Sequence, residues 1–202
     1  MMDPTTLFKA SYGLYVLTAK DDTGHNGCII NTFLQVTSQA PFVGVITVNK
    51  AGRTHDMVLA TKEFNLSMLD TTTPFDMIQH FGFQSGQTQN KFANYPNQHL
   101  SPNGLVYLPQ HTNAYLSCQV MDTIDFDTHT MFTVTITHGE HLSSHDSLTY
   151  AYYQAHVKPK PQATTQEGYR CNICGYVYEG HPLPSDFICP LCKHGAGDFE
   201  KI

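Results

Sequence analysis

The chain has 202 residues, 41% of them hydrophobic and 14% charged, with a formal net charge of −6. Those proportions describe a folded chain and argue against a disordered one; the acidic balance, with no basic run, argues against a nucleic-acid partner. The first thirteen residues show no signal peptide, and the longest apolar run, near "FVGVITV", is far short of the ~20 residues that span a bilayer, so a cytoplasmic protein is expected.

In chain order, Asp3-Pro4 supplies the cap and first residue of a short helix. "LYVLTA" (14–19) reads as a strand, "GCIINTFLQVTS" (27–38) as one longer strand, and "FVGVITVNK" (42–50) as the next. A helix is expected after "NKAGRT", with Thr54 as a cap, then a strand over "FNLSMLD" (64–70). Thr73-Pro74 opens a helix over "FDMIQHFG" (75–82). "AYLSCQVMDTIDF" (114–126) and "TMFTVTITHGEHL" (130–142) are strands. The second alternates strictly, with Phe132, Val134 and Ile136 on one face and Thr133, Thr135 and Thr137 on the other, and is expected to end in a His-Gly turn. Many strands with few helices predict a mainly β domain, a small closed or split barrel.

The composition then shifts. Residues 158–168 carry prolines and lysines without apolar periodicity and read as a linker, dividing a body, 1–157, from a tail, 169–202. A tail that short buries too little apolar surface to fold alone and needs a metal or disulfides. Two hooks answer that need: Cys171-x-x-Cys174 and Cys189-x-x-Cys192, separated by the fourteen residues 175–188. Each places two thiolates on one turn, and together they close a tetrahedral sulfur cage. The spacing alone allows zinc, as a staple, or iron, as an electron carrier. Cys28 and Cys118 stand apart and read as small buried residues. His138, His141 and His145 are expected to be solvated turn residues, Tyr150, Tyr152 and Tyr153 core or interface aromatics, and Asp125 and Asp127 part of a solvated face. In "TVNKAGRTHDM", a strand running into Asn49, Lys50 and Thr54 at a helix start can cradle an anion, although an ordinary turn would look the same.

"CNICGYVYEG" with "CPLCKHGAGDFEKI" resembles rubredoxin, in the short form found at the tail of rubrerythrins, with Lys193 where that family usually has Gly. The resemblance implies one iron held by Cys171, Cys174, Cys189 and Cys192, within an aromatic shell of Tyr176, Tyr178, Phe187 and Phe199. "HNGCIINTFLQVTSQAPFVGVITVNKAGRTHDMV" followed by "FGFQSGQTQNKF" resembles the flavin reductase-like FMN-binding split barrel, over about residues 5–157. It implies a mainly β fold with FMN along Gly27, Cys28, Ile29, Ile30, Asn31 and Thr32, and phosphate at Asn49, Lys50 and Thr54. The loop Phe81, Gly82, Ser85, Gly86, Lys91 and Phe92 would border the flavin; Asn90 stands where an Asp is usual. The resemblance also implies a homodimer.

The two halves together resemble the high-molecular-weight rubredoxins. That implies an oxidoreductase taking hydride from NADH or NADPH, splitting it at FMN and passing single electrons to the iron. The implied acceptor is a flavodiiron protein reducing dioxygen or nitric oxide. The flavin carries the chemistry, so no side chain is expected as an acid or base. Two other readings stay open: a reductase that releases reduced FMN and has a zinc-stapled tail, and a non-enzymatic FMN and iron carrier fed by a separate reductase.

Overall fold

Strand β1, Tyr15–Asp21, buries apolar side chains on both faces, and the body is built outward from it. The structure, a computed structural model, describes residues 6, 9–159, 168–172, 175–190 and 194–202. The helix expected at Asp3-Pro4 and most of the linker lie outside the described residues, as do Cys174, Cys192 and Lys193.

After β1 come β2 (Gly24–Ile30), β3 (Phe33–Gln35), β4 (Val43–Asn49), α1 (Arg53–Thr61), β5 (Glu63–Leu69) and α2 (Phe75–Gly82). Two short strands, β6 (His99–Leu100) and β7 (Val106–Tyr107), precede the long pair β8 (Thr112–Asp125) and β9 (His129–His141). Helix α3, Tyr150–Tyr152, runs into a π-helical turn, Tyr153–Val157. The seven main strands form one antiparallel sheet in the order β2-β1-β5-β8-β9-β4-β3. The sheet curls back on itself: Tyr15 of β1 and Phe33 of β3, from opposite ends of that order, meet edge to face at 6.0 Å. Its edge strands β2 and β3 stay unpaired with each other, which makes the barrel a split one.

Two apolar clusters follow from the alternation of side chains along β1. Leu17 and Ala19 turn inward to Ile46, Phe64, Leu66, Phe132 and Val134, with Met57 and Val58 of α1 joining them. Val16 turns outward, where Ile78 and Phe81 of α2, Leu148 and Tyr153 cover it. The run "LYVLTA" is apolar because both faces of that strand are covered.

Several sequence expectations need correction. "GCIINTFLQVTS" is two strands, because the chain breaks at Asn31-Thr32 to pass from one edge of the sheet to the other. β9 does not turn at His138-Gly139. A register shift between Ser117 and Cys118 of β8 absorbs the irregularity, so Gly139 pairs with Leu116 and the strand continues to His141. His138 and His141 therefore lie on a strand, His138 bonding Glu140 Oε1 at 3.1 Å. Helix α2 starts at Phe75 with Pro74 as its cap residue, while the Thr73 hydroxyl donates to the Asp70 carbonyl, 2.7 Å. Among the described residues no helix is long and apolar enough to cross a membrane.

In the tail, β10 (Tyr169–Cys171), β11 (Val177–Tyr178) and β12 (Phe199–Lys201) form a sheet in the order β11-β10-β12. Arg170 and Glu200 pair across β10 and β12 at 2.6 Å. Phe187 gathers the aromatic residues, with its ring 4.6 Å from Tyr178, 5.3 Å from Phe199 and 6.4 Å from Tyr176.

Candidate functional site

Where β4 ends, the Asn49 side chain accepts the Ala51 N–H at 2.9 Å and the Asn49 carbonyl accepts that of Gly52 at 3.2 Å. This turn launches α1. Its cap residue is Gly52, in extended backbone with no side-chain cap, and not Thr54, which lies one residue inside the helix. The first N–H groups of a helix have no intrahelical acceptor and favour anions. Here Gly52, Arg53 and Thr54, at that end of α1, line a cavity of about 390 Å³.

The facing walls come from two other stretches. Cys28, Ile29 and Ile30 of β2 form one; Phe81 and Gly82 at the end of α2, with Ser85 and Gly86 beyond, form the other. Asn26 clamps the two together. Buried at the start of this wall, it donates to the Gly86 carbonyl at 3.1 Å and accepts the Gly27 N–H at 2.8 Å. A Cβ at Gly86 would sit 2.6 Å from Asn26 Nδ2, a side chain that cannot swing away without giving up both bonds. Gly86→Ala is therefore expected to displace the 84–87 loop and, where the cavity takes the flavin that the sequence resemblance implies, to weaken its binding by about tenfold or more, the loss of ~1–3 kcal/mol that one unsatisfied buried amide brings. Fluorescence titration of the apoprotein with FMN measures it.

Lys91 completes the cavity. Its ammonium donates to the carbonyls of Gly27, 2.9 Å, and Phe81, 2.8 Å, tying β2 to the end of α2. Burial drives the Lys91 amine below its ordinary range and pushes the Cys28 thiol up, each partly offset by the other.

Ten of the expected residues thus line one cavity: Cys28, Ile29, Ile30, Asn49, Thr54, Phe81, Gly82, Ser85, Gly86 and Lys91. Five do not. Gly27 and Phe92 stand behind the wall, Gly27 giving its carbonyl to Lys91 and lying beneath the buried Phe92 ring. Asn31 and Thr32 occupy the break between β2 and β3 and bond to each other, 3.2 Å. Lys50 is the clearest departure. It follows β4 on the side of the β8–β9 hairpin, where its ammonium meets Asp125 at 2.9 Å and the Phe126 carbonyl at 3.2 Å. Asp125 is thus engaged by a specific cation, not merely solvated.

The cation at the anion-facing end is Arg53, which bonds the Thr23 hydroxyl and sits 3.3 Å from the Asp21 carboxylate. Sequence reasoning also missed Asn26, Gln84 and His129. His129 enters because β4 and β9 pair Asn49 with His129, a register that no local motif carries. Among the described residues no carboxylate lines the cavity. An apolar wall, helix-end N–H groups, hydroxyls and cations in this volume fit a ring system with an anionic tail, and the size is that of ordinary small-molecule sites, ~300–1,000 Å³.

In the tail, Cys171 and Cys189 are 1% and 0% exposed. The Gly175 N–H closes onto the Cys171 carbonyl at 2.9 Å with Gly175 at φ +81°, a left-handed turn that glycine adopts without strain. The Cys171 N–H donates to Tyr176 and the Cys189 N–H to His194, both at 2.8 Å. Two buried sulfurs on two anchored turns suit a soft thiolate-bound metal.

Comparison with known proteins shows the family of each part. Residues 7–160 match the model of the flavin reductase like domain, and residues 169–200 that of the rubrerythrin, rubredoxin-like domain. The chain is 37% identical to high molecular weight rubredoxin of Moorella thermoacetica over the whole of both chains. It is 32% identical to the ferric-chelate reductase (NAD(P)H) of Archaeoglobus fulgidus, over 81% of this chain and 95% of that one. Among solved structures, the NADH:FAD oxidoreductase of Streptomyces globisporus C-1027 superposes with a TM-score of 0.65 at 18% identity, over 74% of this chain and 91% of that one, a likeness of fold. The chain belongs to the flavin reductase-like oxidoreductases, in the two-part form with a rubredoxin-like tail that high molecular weight rubredoxin shares.

Proposed function

We propose that the body, 1–157, holds FMN in the cavity, accepts hydride from NADH or NADPH, and delivers single electrons to an iron held by Cys171, Cys174, Cys189 and Cys192 of the tail, 169–202. The observation that carries this reading is the convergence of β2, the start of α1, the end of α2 and Lys91 on one cavity. The relatives named for NAD(P)H and rubredoxin support the donor and the exit. When bound, the flavin would supply the conversion of a hydride into separate electrons. The chain's own residues do the placing. Thr54, Asn49 and the N-terminal amides of α1 hold the phosphate, with Arg53 as the nearby cation; Ile29, Ile30 and Phe81 wall the ring and exclude water. The resemblance to high-molecular-weight rubredoxins favours a flavodiiron protein as the acceptor and a cytoplasmic setting.

Anaerobic NADH titration of the full chain, with iron and zinc analysis, tests the reading. Uptake of three electrons per chain, two at the flavin and one at the iron, is the expected result. A bleached flavin beside a colourless zinc tail would overturn the electron exit.

A homodimer belongs to the same proposal. On the outer face of the sheet, register places Leu34 beside Val45, and Ile124 beside Met131, with Leu34 63% exposed and Ile124 48%. A second copy covering this face would remove apolar surface from water. The Leu34→Glu, Ile124→Lys double variant is expected to sediment as a monomer while the unaltered chain sediments as a dimer.

A further inference from the structure

Lys91 is 4% exposed, in a position where a lysine is rarely found without an acidic partner. Its hydrogen bonds go to two carbonyl dipoles, and among the described residues no carboxylate pairs with it. Asn90 beside it is neutral and spends its side-chain oxygen on the Phe92 N–H, 3.0 Å. The other basic side chain of the cavity wall with a full charge, Arg53, already has Asp21. A buried ammonium held only by dipoles is costly to maintain and gains most from a negative charge that arrives later.

Reduction brings such a charge. A hydride is one proton and two electrons, so its transfer from a dihydronicotinamide to a neutral oxidised ring leaves that ring with one negative charge and the donor with one positive charge. Among the described residues no carboxylate lines the cavity, and Lys91 is a buried cation there that still lacks a counter-charge. Resting on the FMN reading above, we infer that Lys91 sets the reduction potential of the bound flavin, because its ammonium, fixed by the Gly27 and Phe81 carbonyls, favours the anionic reduced ring over the neutral oxidised one. The same bonds would also make Lys91 a brace between β2 and α2. A brace serves both redox forms alike, whereas a counter-charge serves one.

That difference is measurable. Holoprotein and its Lys91→Met and Lys91→Gln variants are titrated anaerobically with oxidised FMN and with dithionite-reduced FMN, and the midpoint potential of the bound flavin is recorded. The expected result is that each variant loses at least about tenfold more affinity for reduced FMN than for oxidised FMN, which lowers the two-electron midpoint by about 30 mV. Equal losses for the two forms, with an unmoved midpoint, would reduce Lys91 to a brace and overturn the inference. Should neither variant fold, the unaltered chain decides: it must hold reduced FMN more tightly than oxidised FMN, and the reverse order overturns the inference. An unaltered chain that takes up no FMN instead refutes the reading of the cavity itself.

Discussion

A Cys189→Ser chain is expected to keep a flavin that NADH bleaches and to lose the route by which electrons leave through the tail. The strands of the tail hold only three, two and three residues, too few to supply a core. In a unit of that size the binding free energy of the metal is folding free energy, about 10–16 kcal/mol in comparable zinc peptides. Cys189 is fully buried with its N–H anchored to His194, so a serine there places a hard oxygen on a site built for sulfur. Metal analysis should show iron lost, limited proteolysis should cut within 169–202, and reduction of an added one-electron acceptor should fall to the level of the isolated body. Retained iron with an unchanged visible spectrum would remove Cys189 from the ligand set.

Phe81→Ala is expected to damage the body and the cavity at once. The Phe81 ring is wholly buried, with the rings of His80, Tyr95 and Phe92 centred 4.8, 4.9 and 5.3 Å away. Truncating a core phenylalanine costs about 3–5 kcal/mol, a large part of the ~5–15 kcal/mol that holds a domain folded. At roughly 2–4 °C per kcal/mol for a domain of this size, the melting temperature should fall by about 6–20 °C. Phe81 also walls the cavity and lends its carbonyl to Lys91, so added FMN should restore less of that loss than it adds to the unaltered chain. Thermal unfolding with and without FMN checks both parts. A drop below about 2 °C would mean that neighbouring rings refill the space.

The sequence was most legible where one physical rule governed a stretch by itself. The alternation in β9 reflects real burial of Phe132 and Val134, and the runs of apolar residues in β1 and β4 are strands. Glycines, hydroxyls and the Asn-Lys turn marked out three of the stretches that meet at the cavity. Legibility ended where long-range register decides. Lys50 and Arg53 are three residues apart and equally cationic, yet only the fold shows that Lys50 turns away to Asp125 of the hairpin while Arg53 lines the cavity. His129 carries no signal of its own, and nothing local marks Asn26, whose side chain is a clamp across 60 residues of chain. The break at Asn31-Thr32 was hidden because strand propensity does not reveal which edge of a sheet a residue must reach.

The pairing of Gly168 with Ile202 carries a consequence for how the tail bears load. The two residues exchange both backbone hydrogen bonds, at 3.2 and 2.9 Å, which pins the head of β10 to the strand beside it. From that point β10 runs directly to Cys171, a lever arm of roughly 10 Å at the ~3.3 Å per residue of a strand. A force applied at Gly168 therefore loads those two hydrogen bonds first, ahead of the turn that follows Cys171.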